Sequence, residues 1–317
     1  MKQLLLFLLL LLQTQYTLAQ SVDSTLFTES PIVLSTATGN LYGTLCMPTK
    51  SEHPPVALFL AGSGATSRDG NSGTAVTNDA YKILAHRLTL SGIASVRFDK
   101  RGVGESIWAA KSELSLRFDD YIDDAKAWVD TLRASHRFSR IIVIGHSEGS
   151  LVGLAACGAA DKCVSIAGAG RTIDQVLKEQ LKDFPNPLRD SAYAVLDSLA
   201  VGRRVPKPPK RFLNLLRPSV QPYMISWIKH SPQSEIKALK IPVLILQGTK
   251  DIQISVEDAK LLAAANPKAR LVLIEGMNHV FRLIAGDIAE NRKSYFDAAL
   301  PISDQLVHEI AAFINAR

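Results

Sequence analysis

The chain has 317 residues, 47% apolar and 21% charged, enough to bury one large core with room for an inserted subdomain. That balance excludes collagen-like, coiled-coil and disordered chains. The formal charge of +6 is modest and no nucleic-acid motif accompanies it, so no nucleic-acid partner is expected.

The chain opens with a three-part pattern. Lys2 supplies a positive start, residues 4–12 are an apolar run, and Thr17-Leu18-Ala19 ends in small residues. This predicts a secretory signal over residues 1–19, cut after Ala19, so that Gln20 begins the mature chain. The run is too short to span a bilayer comfortably, so no stable membrane anchor is expected. The expected location is periplasmic or extracellular. Cys46, Cys157 and Cys163 are odd in number and do not form a disulfide framework. They read as small buried apolar side chains, with a Cys157–Cys163 pair as the alternative.

From residue 32 onward, strand-like segments alternate with amphipathic helical ones, which predicts a mostly parallel sheet covered by helices. Residues 32–34 and 41–45 read as two strands around a Gly39-Asn40 turn. Residues 56–60 form a continuous apolar run, as a strand buried on both faces requires. A helix over 78–90, a strand over 93–98, a helix over 119–132, a strand over 140–144 and a small-residue helix over 151–157 follow. Another strand ends at residue 167.

Between residues 171 and 235 this rhythm stops. Helical stretches over 172–184 and 191–199 have no convincing strand between them, and Val205-Pro206-Lys207-Pro208-Pro209 must be a loop. The segment 171–235 reads as an inserted helical cap, leaving 20–170 and 236–317 as the core domain. Its basic run, with Lys207, Lys210 and Arg211 between Arg203 and Arg217, reads as a solvated face, attraction of anionic surfaces being the alternative. The rhythm resumes with a strand over 241–246, a helix over 256–265, a strand over 270–274 and a helix over 303–314.

The strongest chemical signal is Gly145-His146-Ser147-Glu148-Gly149, between an apolar strand and a small-residue helix. A serine hydroxyl is a weak nucleophile and must project freely toward a base and a substrate carbonyl. A sharp strand-to-helix turn achieves this, with glycine needed where neighbouring chain passes close. Acid and histidine should then follow in that order. Asp251 lies just past the strand ending near residue 246, and His279 just past the strand ending at residue 274. Both fall at carboxyl ends of parallel strands, the same sheet edge as Ser147.

The remaining histidines carry weaker signals. His53, His86, His136 and His308 sit away from that edge. The side chain of His146 should point away at the turn, and His230 lies in the cap within possible reach of substrate. An oxyanion requires two backbone N–H donors. Glu148, next after the nucleophile, is one candidate. Ser63, between Gly62 and Gly64 after the 56–60 strand, is the other. The glycines of residues 99–104 lack phosphate-loop spacing and read as a structural turn. No group of residues has metal-ligand spacing, and no cofactor or metal is expected. Tyr223, Met224 and Trp227 are candidates for the pocket wall, against a plainer packing role.

Taken with Gly43-Thr44-Leu45, Arg68-Asp69-Gly70 and the run Phe98-Asp99-Lys100-Arg101-Gly102-Val103-Gly104-Glu105-Ser106, these motifs resemble the α/β-hydrolase superfamily. Within it they are similar to the bacterial esterase and serine-aminopeptidase-like group. The resemblance runs from about residue 41 to the C-terminus. It implies an eight-stranded, mostly parallel sheet with a helical cap, and cofactor-free hydrolysis of small carboxylic esters or related acyl compounds. A serine aminopeptidase-like amide hydrolase and an inactive ligand-binding scaffold are the rivals. One departure is Ala61, where many relatives carry histidine before the oxyanion glycine; a backbone donor survives that change.

Overall fold

The computed structural model describes residues 26–74 and 76–316; the predicted signal segment lies outside the described residues. Strands β1 (Phe27–Thr36) and β2 (Gly39–Pro48) form an antiparallel hairpin. Its turn falls at Ala37-Thr38, two residues earlier than the glycine suggested. Gly39 already pairs with Thr36, and the Thr36 hydroxyl donates to the Gly39 carbonyl at 2.6 Å. Ladder pairing continues up to the glycine, which therefore opens β2 and does not form the turn.

Six further strands follow: β3 (Val56–Leu60), β4 (Ala94–Phe98), β5 (Ile141–His146), β6 (Lys162–Ile166), β7 (Val243–Gly248) and β8 (Arg270–Ile274). The sheet has eight strands in the order β1-β2-β4-β3-β5-β6-β7-β8, parallel from β4 to β8. Every residue of β3, β4, β5, β6 and β7 is buried, which explains their unbroken apolar character.

Strand alternation divides the core in two. Ala57, Phe59, Ile142 and Ile144 face one layer, with α1 (Ala80–Leu90). Leu58, Val143, Cys163 and Ile245 face the other, with α2 (Phe118–Ala134) and α3 (Glu148–Ala156). Helix α3 is made largely of Gly, Ala, Ser and short aliphatic residues and is almost wholly buried, so it lies close against the sheet below the Ser147 turn. All three cysteines are buried free thiols.

No strand interrupts the stretch between β6 and β7. It contains α4 (Ile173–Leu181), α5 (Asn186–Ala200), α6 (Leu213–Leu216), α7 (Gln221–Ile228) and α8 (Pro232–Ala238). The basic run is not left without an acid: Arg217 pairs with Glu113, and its Nε donates at 2.8 Å. That partner stands 104 positions away, so local sequence could not reveal it. After β7 come α9 (Val256–Ala265), capped by the Ser255 hydroxyl, then α10 (Ile288–Lys293) and α11 (Asp304–Asn315). Helix α11 packs in the layer with α1. The short helix α10, capped by Asp287, has no counterpart among the sequence expectations. Among the described residues no helix is long and apolar enough to cross a membrane.

Candidate active site

Because β3, β4, β5, β7 and β8 run parallel, the loops after their carboxyl ends gather at one edge of the sheet. Ser147 begins there, at the turn from β5 into α3, with φ 55° and ψ −119°. This is a left-handed conformation that a side-chain-bearing residue adopts only under constraint. The constraint is visible on both sides. A Cβ at Gly145 would overlap the carbonyl oxygen of Gly149, and one at Gly149 would overlap the carbonyl oxygen of Leu60. The turn is thus pressed between its own helix and β3, and the Ser147 N–H is fixed to the Ile166 carbonyl at 3.0 Å.

Asp251 and His279 come together from the loops after β7 and β8. His279 Nδ1 lies 2.8 Å from Asp251 Oδ2, and both side chains are buried. Asp251 Oδ1 accepts from the backbone N–H groups of Gln253 and Ile254 at 2.7 and 3.0 Å. Burial alone would push this carboxyl's pKa up. The His279 ring and the two N–H donors outweigh it and hold the pKa below the usual 3.8. Asp251 therefore stands as a carboxylate. Among the described residues the His279 ring has no other hydrogen-bond partner, which leaves its Nε2 unengaged. Next to it, Asn278 Oδ1 accepts from the N–H groups of Val280 and Arg282 while its Nδ2 donates to Asn291 and Ser294. These bonds set the path of the histidine loop.

His146 does not point away. Its ring turns beneath the site, 4.6 Å from the His279 ring, with Nε2 2.9 Å from the His279 carbonyl and Nδ1 2.6 Å from the Tyr81 hydroxyl. A carbonyl can only accept, so Nε2 carries the hydrogen and Nδ1 accepts from Tyr81. The Tyr81 oxygen in turn accepts from the Gly62 N–H at 3.0 Å. Burial, followed by the nearby His279, depresses the His146 pKa to about 3, so the ring is neutral at ordinary pH. The inward turn follows from the strained elbow, which sends Ser147 outward and leaves its neighbour facing the core.

The loop after β3 closes the site. Gly62 is pressed against the elbow: a Cβ there would lie 3.3 Å from Ser147 Cβ. Its N–H is committed to Tyr81, whereas the Ser63 N–H has no acceptor among the described residues. Ser63, Ser147 and Glu148 line one cavity of about 130 Å³. Its walls are mainly apolar and come largely from the helical stretch, including Val176, Leu177, Met224 and Trp227. An adjoining space of about 250 Å³ is lined by charged and aromatic side chains including Lys100, Arg101, Glu148, Arg217 and Tyr223. Met224 and Trp227 thus line the first space and Tyr223 the second.

Other expectations resolve differently. His230 lies outside both linings and bridges Asp119 and Glu235 at 3.1 Å each. Glu29, Cys46 and His86 bring three ligand-type atoms within 4.8 Å of one another at the hairpin edge. Glu29 Oε1 is already held there by Arg97 and His86, at 2.9 Å each, so the guanidinium already supplies the positive charge. The run from Asp99 to Gly104 is a turn, as expected: Asp99 accepts from Arg68 at 2.7 Å and from the Glu105 N–H at 3.1 Å. One of its members, Lys100, carries more than the turn, since its ammonium reaches Gly62 and Glu148. Spacing alone does not mark it, because both contacts are distant in sequence.

The sheet order, the strained serine between two obligatory glycines and the paired Asp251 and His279 define the α/β-hydrolase fold. Known proteins agree. A family model described as serine aminopeptidase, S33, matches residues 71–211. The esterase EstD of Thermotoga maritima is 26% identical over 308 residues, spanning 95% of this chain and 71% of that protein. Est1E from Butyrivibrio proteoclasticus superposes with a TM-score of 0.57 at 14% identity, covering 90% of this chain and 99% of its own. The Pyrococcus furiosus esterase Pf2001 gives 0.57 at 16%, covering 91% and 92%. The chain thus shares the α/β-hydrolase fold of these solved esterases.

Proposed function

We propose that the chain is an exported serine hydrolase that cleaves small carboxylic esters through an acyl-enzyme, with Ser147 as nucleophile, His279 as base and Asp251 as the group that orients the base. One observation carries this reading: Asp251 and His279 are bonded at 2.8 Å at the sheet edge that holds Ser147 in its strained turn beside an apolar cavity. His279 Nε2 takes the hydroxyl proton as Ser147 Oγ attacks the ester carbonyl carbon. Asp251 holds Nδ1–H and stabilises the charged ring. The amides of Ser63 and Glu148 bind the oxyanion. The tetrahedral intermediate collapses as His279 returns the proton to the departing alkoxide. Water then attacks the acyl-enzyme with the same base, releasing the acid and restoring Ser147.

Support for an ester comes from the names of the relatives and from the apolar wall. The helical stretch 171–235 acts in this reading as a cap that roofs the acyl site. The predicted signal supports export. A serine aminopeptidase would need a free carboxylate to hold the substrate's ammonium group. Glu148, the carboxylate among the residues lining the cavity beside Ser147, is already paired with Lys100.

The deciding experiment uses purified mature chain and its Ser147→Ala variant on p-nitrophenyl esters and aminoacyl anilides, with fluorophosphonate labelling. Ester turnover should fall by about 10⁴-fold or more in the variant, and labelling should vanish. Wild-type-like turnover in Ser147→Ala would end the proposal. Faster cleavage of anilides than of esters would turn it into the peptidase reading.

A further inference from the structure

Lys100 is buried directly behind the loop that carries Ser63. Its Nζ donates to the Gly62 carbonyl at 2.6 Å and to Glu148 Oε1 at 3.1 Å, and it lies 5.0 Å from the centre of the Tyr121 ring. Both side chains of the ion pair are at most 6% exposed. The Gly62 carbonyl and the Ser63 N–H belong to the same peptide unit. That unit is trans, so its oxygen and hydrogen point in opposite directions. Gripping the oxygen from behind therefore fixes the direction of the Ser63 N–H. It also polarises the unit, since a cation at the carbonyl draws electron density from the amide nitrogen. The other end of the grip is Glu148, whose own N–H is one of the unpaired donors of the first turn of α3.

We propose that Lys100 is a positioning residue that presets and strengthens the oxyanion hole by tying the Gly62–Ser63 peptide to the Glu148 side chain. This rests on the hydrolase reading above and adds to it a single cation that aligns both amide donors without touching substrate. The site already holds its donors before charge develops on the substrate, the arrangement that makes such a hole effective. Tyr81 accepts from the Gly62 N–H in the preceding peptide unit, so Gly62 is held at both its N–H and its carbonyl while the Ser63 N–H has no acceptor among the described residues.

The test compares wild type with Lys100→Met and with the double variant Lys100→Met/Glu148→Gln on one p-nitrophenyl ester. Readouts are kcat and KM separately, the inhibition constant of a trifluoromethyl ketone, and the melting temperature. That inhibitor adds Ser147 Oγ to its carbonyl carbon and leaves its oxygen as the bound oxyanion. In Lys100→Met, kcat should fall about 10- to 100-fold with KM nearly unchanged, and the inhibitor should weaken by a similar factor. Lys100→Met alone also strands a buried carboxylate; the double variant removes that charge and should recover melting temperature but not kcat. Recovery of kcat in the double variant overturns the proposal, as does an unchanged kcat or unchanged inhibitor affinity in Lys100→Met. Ser147→Ala, run alongside, separates the two claims. If it is inert while Lys100→Met turns over normally, only the Lys100 role falls; if it is fully active, both fall.

Discussion

The His146 ring donates from Nε2 to the backbone carbonyl of His279 at 2.9 Å, so the residue preceding Ser147 holds the loop that bears His279. The same ring accepts from Tyr81, which accepts from Gly62. The turn at Ser147, the loop bearing His279 and the loop carrying Ser63 are thereby joined by one neutral chain of hydrogen bonds.

That neutrality makes stability depend on pH. In the unfolded chain the His146 ring takes a proton near 6.5, whereas the folded ring resists until about pH 3. Between these values the unfolded state binds more protons, so stability declines as pH falls from 6.5, by up to about 1.4 kcal/mol per unit. Asp251, held below 3.8, loses its contribution only in stronger acid. Between pH 6.5 and 5 the urea midpoint of wild type should fall more steeply than that of His146→Gln, narrowing the gap between them; parallel profiles would contradict this.

Tyr81→Phe should cost about 1–3 kcal/mol in urea unfolding, because it strands the Gly62 N–H and His146 Nδ1 in the core. Ester turnover should also drop by about 10-fold or more as the loop carrying Ser63 loosens. Full activity at unchanged stability would mean that the hydroxyl holds neither partner in solution.

Gly145→Ala and Gly149→Ala should give little folded protein, since the added carbon overlaps backbone oxygen that has nowhere to move. Gly158→Ala is the contrasting case: nothing lies within 4 Å of its added carbon, and stability should change by less than about 1 kcal/mol. Yields of soluble protein and melting curves distinguish the two groups. A well-folded Gly149→Ala chain would refute the close packing of the elbow on β3.

Leu177→Trp should fill much of the 130 Å³ cavity beside Ser147 and shift preference toward shorter acyl chains. The ratio of kcat/KM for octanoate over acetate esters should fall by roughly 10-fold or more. An unchanged ratio would place the acyl chain elsewhere, the adjoining space beside Tyr223 being the alternative.

Much of this protein is written locally. Continuous apolar runs such as 56–60 and 141–144 can only be strands covered on both faces, and the glycines flanking Ser147 announce a turn too tight for a side chain. The order of Ser147, Asp251 and His279, each just past a strand, follows from the chain alone, because parallel strands deliver their carboxyl ends to one edge. The partnerships were decided by tertiary structure. The inward turn of His146, the grip of Lys100 on Gly62 and the pairing of Arg217 with Glu113 join residues 133, 38 and 104 positions apart. Hydrophobic periodicity reports which face of an element is buried. It carries no information about which side chains meet when distant loops converge, and that meeting is set by how the elements pack.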